Sequence, residues 1–122
     1  MTAKGTILVV DNEVDQLEMM KGILERIGYA ARITDSPRQA LEMVKAKAFD
    51  LVFIDLIMPE VDGTDLCEQI KRIRPETGIY AYSGHAHLYG PDRLERVGFA
   101  GTINKPATMQ EIKKALGQAM DA

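Results

Sequence analysis

Two acids and a lysine, each closing or following an apolar run, are the residues best placed to do chemistry. Asp11 follows Ile7-Leu8-Val9-Val10, Asp55 follows Leu51-Val52-Phe53-Ile54, and Lys105 follows Ile103-Asn104. Short apolar runs rich in Val and Ile read as strands buried on both faces. A carboxylate at the C-terminal end of such a strand lies where open α/β sheets bind their ligands. Carboxylates there suit a hard divalent cation, and a lysine supplies a point charge for an anionic oxygen. Two acids and a lysine at three strand ends therefore suggest a metal-assisted phosphoryl site.

The rest of the chain is patterned to position them. Strand-like and helix-like segments alternate five times. Strands are expected over residues 7–10, 29–34, 50–54, 79–82 and 100–103. Between the first two lies a helix over residues 13–27, with Val14, Leu17, Leu24 and Ile27 on one stripe and Gly28 as a left-handed C-cap. Ser36-Pro37-Arg38-Gln39 opens the second helix, with Ser as N-cap and Pro in the first turn. Leu41, Val44 and Ala48 form its apolar stripe. Asp62 caps a third helix, in which Leu66, Ile70 and Ile73 share a face, and Pro75 stops it. A short fourth helix spans residues 91–97 and ends at Gly98. Thr108-Met109-Gln110-Glu111 is a capping box for a fifth helix, lined by Met109, Ile112, Leu116 and Ala119. Arg32 within the second strand suggests an edge position, where a charge reaches water. This (βα)5 alternation implies a doubly wound parallel sheet with helices on both faces.

Composition narrows the function. The chain has 122 residues, 46% of them hydrophobic, which suits a single globular domain over residues 1–122. Nothing in it resembles an output domain. A formal net charge of -3 argues against non-specific nucleic-acid binding. No apolar stretch approaches a membrane span, and the N-terminus does not read as a signal peptide, so a cytoplasmic location is expected. The one cysteine, Cys67, cannot form an intrachain disulfide or a metal site by itself.

Four segments in order carry a family resemblance: Val10-Asp11-Asn12-Glu13; Asp55 with Met58-Pro59 and Asp62-Gly63; Tyr82-Ser83-Gly84; and Lys105-Pro106. With these, nearly the whole chain resembles the receiver domain of two-component response regulators. The resemblance implies a flavodoxin-like sheet of strand order 2-1-3-4-5. It implies that Asp55 is a phosphoacceptor for a phosphoryl group from a histidine kinase or a histidine phosphotransfer protein. Mg²⁺ would be held by Asp11, Asp55, the backbone carbonyl of Ile57 and the residue at position 12. Ser83 and Lys105 would contact the phosphoryl oxygens, with Lys105-Pro106 cis. Output would pass by protein contact through the fourth helix, fifth strand and fifth helix, a face through which family members also dimerise. Such a domain is not a turnover enzyme; it catalyses only its own phosphorylation and dephosphorylation.

Three positions depart from the family pattern. Asn12 stands where a second acid usually ligates the metal; it offers a neutral amide oxygen, and it reads equally well as a helix N-cap. Thr102 replaces the aromatic ring that swings inward on activation, and Ala107 stands where Phe often follows Lys-Pro. His85 and His87 read as solvated loop residues, although His85 occupies a family position on the water approach to the acyl phosphate. An alternative is a receiver-like binding module that works without phosphorylation, a direction in which Asn12 and Thr102 both point. Two other chemistries fit poorly. FMN binding wants a phosphate-cradling loop where Asp11-Asn12-Glu13 stands. A haloacid-dehalogenase-type phosphatase wants an acid where Ile57 stands.

Overall fold

The computed structural model describes residues 4–120. Five strands form one parallel sheet: β1 (Thr6–Val10), β2 (Ala30–Thr34), β3 (Leu51–Ile54), β4 (Ile79–Ser83) and β5 (Gly101–Asn104). Their order is β2-β1-β3-β4-β5. The helices between and after them are α1 (Val14–Ile27), α2 (Pro37–Ala46), α3 (Gly63–Ile73), α4 (Pro91–Val97) and α5 (Met109–Met120). A 3-10 turn over Ala86–Leu88, not expected from the sequence, precedes α4. The alternation of side chains along each strand splits the core in two. Ile7, Val9 and Phe53 pack with Leu17, Met20, Leu24, Ile112 and Leu116 of α1 and α5. Leu8, Val10, Val52 and Ile54 pack with Val44, Leu66, Ile70 and Leu94 of α2, α3 and α4. A fully buried Phe53 contributes about 2–3 kcal/mol by removal from water alone.

The expected caps are present. Ser36 Oγ accepts the Gln39 N–H at 3.1 Å, Asp62 Oδ1 accepts the Thr64 N–H at 2.9 Å, and Thr108 and Glu111 satisfy each other's backbone donors. Gly28 closes α1 at φ 114. Arg32 is exposed on the edge strand β2, as expected.

Other expectations need correction. Val14 is 58% exposed and Met109 37% exposed, so neither belongs to its helix's buried stripe. Both stand in the first turn, beyond the end of the sheet that their helices cover, and Met20 and Ala115 supply the contacts instead. Ala48 lies past the end of α2 and is exposed; Pro37, Ala40 and Val44 make that stripe. Asn12 is not the α1 N-cap: Glu13 occupies that position, without a side-chain cap. Arg74 has a role the sequence did not suggest, donating from Nε to Val44 O at 2.6 Å and from Nη2 to Lys45 O at 3.3 Å, which ties α3 to the end of α2.

Candidate functional site

The pocket begins with strand register. Val10 of β1 pairs with Ile54 of β3, so the next residues, Asp11 and Asp55, emerge side by side. Backbone bonds extend the sheet one residue past those ends: Asp55 N–H donates to Val10 O at 3.0 Å and Asp11 N–H to Thr34 O at 3.2 Å. On the far side Lys105 N–H donates to Ser83 O at 3.1 Å. The Lys105–Pro106 peptide is cis. Asp11, Asp55, Ser83 and Lys105, each found at a strand end in the sequence, are thus brought to one edge of the sheet.

Their side chains converge. Asp11 is 1% exposed and Asp55 6% exposed. Lys105 Nζ lies 2.5 Å from Asp11 Oδ2 and 3.7 Å from Asp55 Oδ2. Asp11 uses its other oxygen, Oδ1, to accept the Glu13 N–H at 2.9 Å. The helix-starting role and the pocket role of this carboxylate are therefore compatible, one oxygen serving each. Asp55 Oδ1 accepts the Ile57 N–H at 3.4 Å. Burial above all pushes the Asp55 carboxyl up from its ordinary value. Lys105 opposes that shift, Asp11 adds to it, and the Ile57 N–H and Ser83 hydroxyl favour the charged form. One buried ammonium thus faces two buried carboxylates, an excess of negative charge that a divalent cation would relieve.

The rim is more exposed. Asn12 is exposed, and Ile57 is 44% exposed. No cluster of three His, Cys, Asp or Glu side chains lies together among the described residues. A cation here would complete its coordination with neutral oxygens and water, which suits Mg²⁺. Ser83 is fully buried, and its Oγ accepts the His85 N–H at 3.0 Å. The side chains of His85, His87 and Thr102 are exposed. Cys67 is buried away from the pocket, its thiol pushed up to about 12 mainly by burial, and it is chemically quiet.

Two tyrosines near the pocket escaped the sequence reading. Tyr89 Oη donates to Asp62 Oδ2 at 2.8 Å, joining the loop before α4 to the loop before α3. The two residues lie 27 positions apart, so no local pattern announces the bond. The Arg93 guanidinium covers the Tyr89 ring at 5.0 Å. Tyr82 sits beneath Lys105, whose Nζ is 5.0 Å from the ring centroid. Its place beside Ser83 was visible in the sequence, and its relation to Lys105 was not.

Gly63 explains the Asp62-Gly63 pair. Its N–H donates to Leu56 O at 2.7 Å, and a Cβ there would stand 2.7 Å from Leu56 Cα. Only glycine lets the start of α3 press against the backbone that follows Asp55.

Comparison with known proteins agrees with this geometry. Residues 7–117 match the family model described as the response regulator receiver domain. The autoinducer 1 sensor kinase/phosphatase LuxN of Vibrio campbellii is 30% identical over 92% of this chain, which spans 13% of that protein. The transcriptional regulatory protein ZraR of Escherichia coli O157:H7 is 28% identical over 93% of this chain, which spans 26% of that protein. The chain thus covers well under half the length of these relatives. A CheY-like receiver domain structure from Methanospirillum hungatei JF-1 superposes with a TM-score of 0.89 at 27% identity. That match covers 95% of this chain and 93% of the other.

Proposed function

The chain belongs to the response regulator receiver family of two-component signalling, and from that premise we propose that it is a phosphoacceptor switch with Asp55 as the accepting residue. The observation that carries this reading is the convergence of Asp11, Asp55 and Lys105 at the C-terminal ends of three parallel strands. An Asp55 carboxylate oxygen attacks the phosphorus of a phosphohistidine on a partner kinase or phosphotransfer protein. A P–O bond forms and the P–N bond breaks; the leaving imidazole nitrogen takes a proton. Lys105 pairs with a phosphoryl oxygen, and the Ser83 hydroxyl donates to another.

The oxygen donors present fit Mg²⁺: the carboxylates of Asp11 and Asp55, the amide oxygen of Asn12 and the backbone carbonyl of Ile57 would hold it. When bound, the ion neutralises charge between the acceptor carboxylate and the phosphoryl group. With Asn12 in place of an acid, the pocket has one negative charge fewer, and affinity for the ion is lower than an acid at that position would confer.

Residues 1–122 act as a single receiver domain that works in the cytoplasm. No helix among the described residues is long and apolar enough to cross a membrane. The new charge biases the surface made by α4, β5 and α5, and output passes to a protein partner or a second copy at that face. The domain is not a turnover enzyme and does not itself contact nucleic acid. Exposed Asn12 and ringless Thr102 favour a second reading, a binding module that works without phosphorylation. Intact-mass analysis after incubation with Mg²⁺ and acetyl phosphate separates the two. The switch predicts one added phosphoryl group on the wild type, none on Asp55→Ala, and none when EDTA is added first. No adduct across a wide Mg²⁺ range would favour the binding module.

A further inference from the structure

Tyr82 is 1% exposed and occupies the β4 position immediately before Ser83. Its hydroxyl is the buried side-chain polar atom that meets no hydrogen-bond partner among the described residues. The ring is fixed on one side by Phe53, with centroids 6.3 Å apart at an interplanar angle of 64°. Over the ring lies the Lys105 ammonium. Burial first, then the carboxylates of Asp11 and Asp55, push the phenol above its ordinary value, so its proton stays in place for donation. A phenylalanine would fill nearly the same volume without leaving a hydroxyl unmet.

Lys105 rests close to Asp11 and farther from Asp55. Phosphoryl transfer needs that ammonium near the group arriving on Asp55. An aromatic face attracts an ammonium wherever it slides across the ring. Once Lys105 moves, an oxygen of Asp11 loses its partner close to a phenol that has a proton to give. We propose that Tyr82 is a positioning residue for Lys105. Its ring steers the ammonium from Asp11 toward Asp55, and its hydroxyl then donates to the Asp11 oxygen that the lysine vacates.

This inference rests on the phosphoryl reading of the pocket, and its test separates the two. The full chain, Tyr82→Phe and Tyr82→Leu are compared in thermal unfolding without ligand. They are then titrated with Mg²⁺ and beryllium fluoride, a phosphoryl mimic. Tyr82→Phe is expected to unfold at a higher temperature than the wild type, yet to bind Mg²⁺ and beryllium fluoride about fivefold more weakly, the worth of one hydrogen bond. Tyr82→Leu, which also lacks the ring, is expected to bind more weakly still. If Tyr82→Phe gains stability and binds as tightly as the wild type, the residue is only core and the proposal fails. If Tyr82→Phe loses stability, the hydroxyl already has a partner, and the proposal fails in that way. If the wild type binds neither ligand, the phosphoryl reading falls and takes the inference with it.

Discussion

Asp11 and Asp55 stand on adjoining central strands whose backbones hold each other, whereas the loops around them are joined by side chains. The floor is set by the Val10–Ile54 register and by the bond from Asp55 N–H to Val10 O. The rim depends on Tyr89 reaching Asp62, on Arg93 over the Tyr89 ring, and on Ser83 Oγ holding the His85 N–H. Moving the floor would break the sheet; moving the rim needs only one or two hydrogen bonds exchanged. Chemistry that needs fixed carboxylates belongs on the first kind of support. A signal that needs a second arrangement belongs on the second kind. Thr102 sharpens the contrast, because this rim has a surface threonine where an inward-swinging ring would serve as a toggle.

The largest expected effect tests the floor's charge balance. Lys105→Met leaves two buried carboxylates without their ammonium and should cost about 3 kcal/mol in urea unfolding without divalent ions. Added Mg²⁺ should recover much of that loss. Next is the seat of the 57–62 loop on the floor. Gly63→Ala forces a methyl against the backbone after Asp55 and should cost about 2 kcal/mol, since neither neighbour is a flexible side-chain end.

Asp55→Asn should act in the opposite direction. The fold raises the Asp55 carboxyl above its unfolded value of 3.8, so ionising it destabilises the protein. The variant should be more stable than the wild type by about 1 kcal/mol at neutral pH. That gap should close as pH falls through the raised folded value toward 3.8, and urea midpoints against pH would check it.

The smallest effect concerns the rim. Tyr89→Phe removes the bond to Asp62 and should cost about 0.5–1 kcal/mol. Burial first, then the bond to Asp62, push the Tyr89 phenol from 10.0 up to about 12. The stabilisation from that bond is present below pH 10 and is lost as pH rises toward 12. Tyrosinate absorbance should therefore show one late-titrating tyrosine that is absent from Tyr89→Phe. Faster amide exchange confined to the 84–90 loop of that variant would support a rim held by side chains. Faster exchange in β1 and β3 would break the distinction between floor and rim.

Much of the floor was legible in the sequence because its signals are local. Each pocket residue ends or follows its own apolar run, and the Ser36, Asp62 and Thr108 caps lie within three residues of what they bond. The edge strand announced itself through Arg32. What escaped depends on where an element sits relative to its neighbours. Val14 and Met109 carry the right helical phase, but their first turns lie past the end of the sheet, so the phase finds nothing to cover. Arg74 and Tyr89 find partners about 30 positions away, on other loops and helix ends. Asn12 read as a cap by residue type, yet Asp11 had already taken the available backbone donor.

The central claim is that Asp55, and no other acid, receives the phosphoryl group. Borohydride reduction tests it most directly, because it converts an aspartyl phosphate to homoserine while leaving free carboxylates intact. After treatment with Mg²⁺ and acetyl phosphate, then borohydride, peptide mass mapping should find homoserine at position 55 of the wild type. The same treatment of Asp55→Asn should leave no homoserine anywhere. Homoserine at Asp11, or at any acid other than Asp55 in the wild type, would contradict the account.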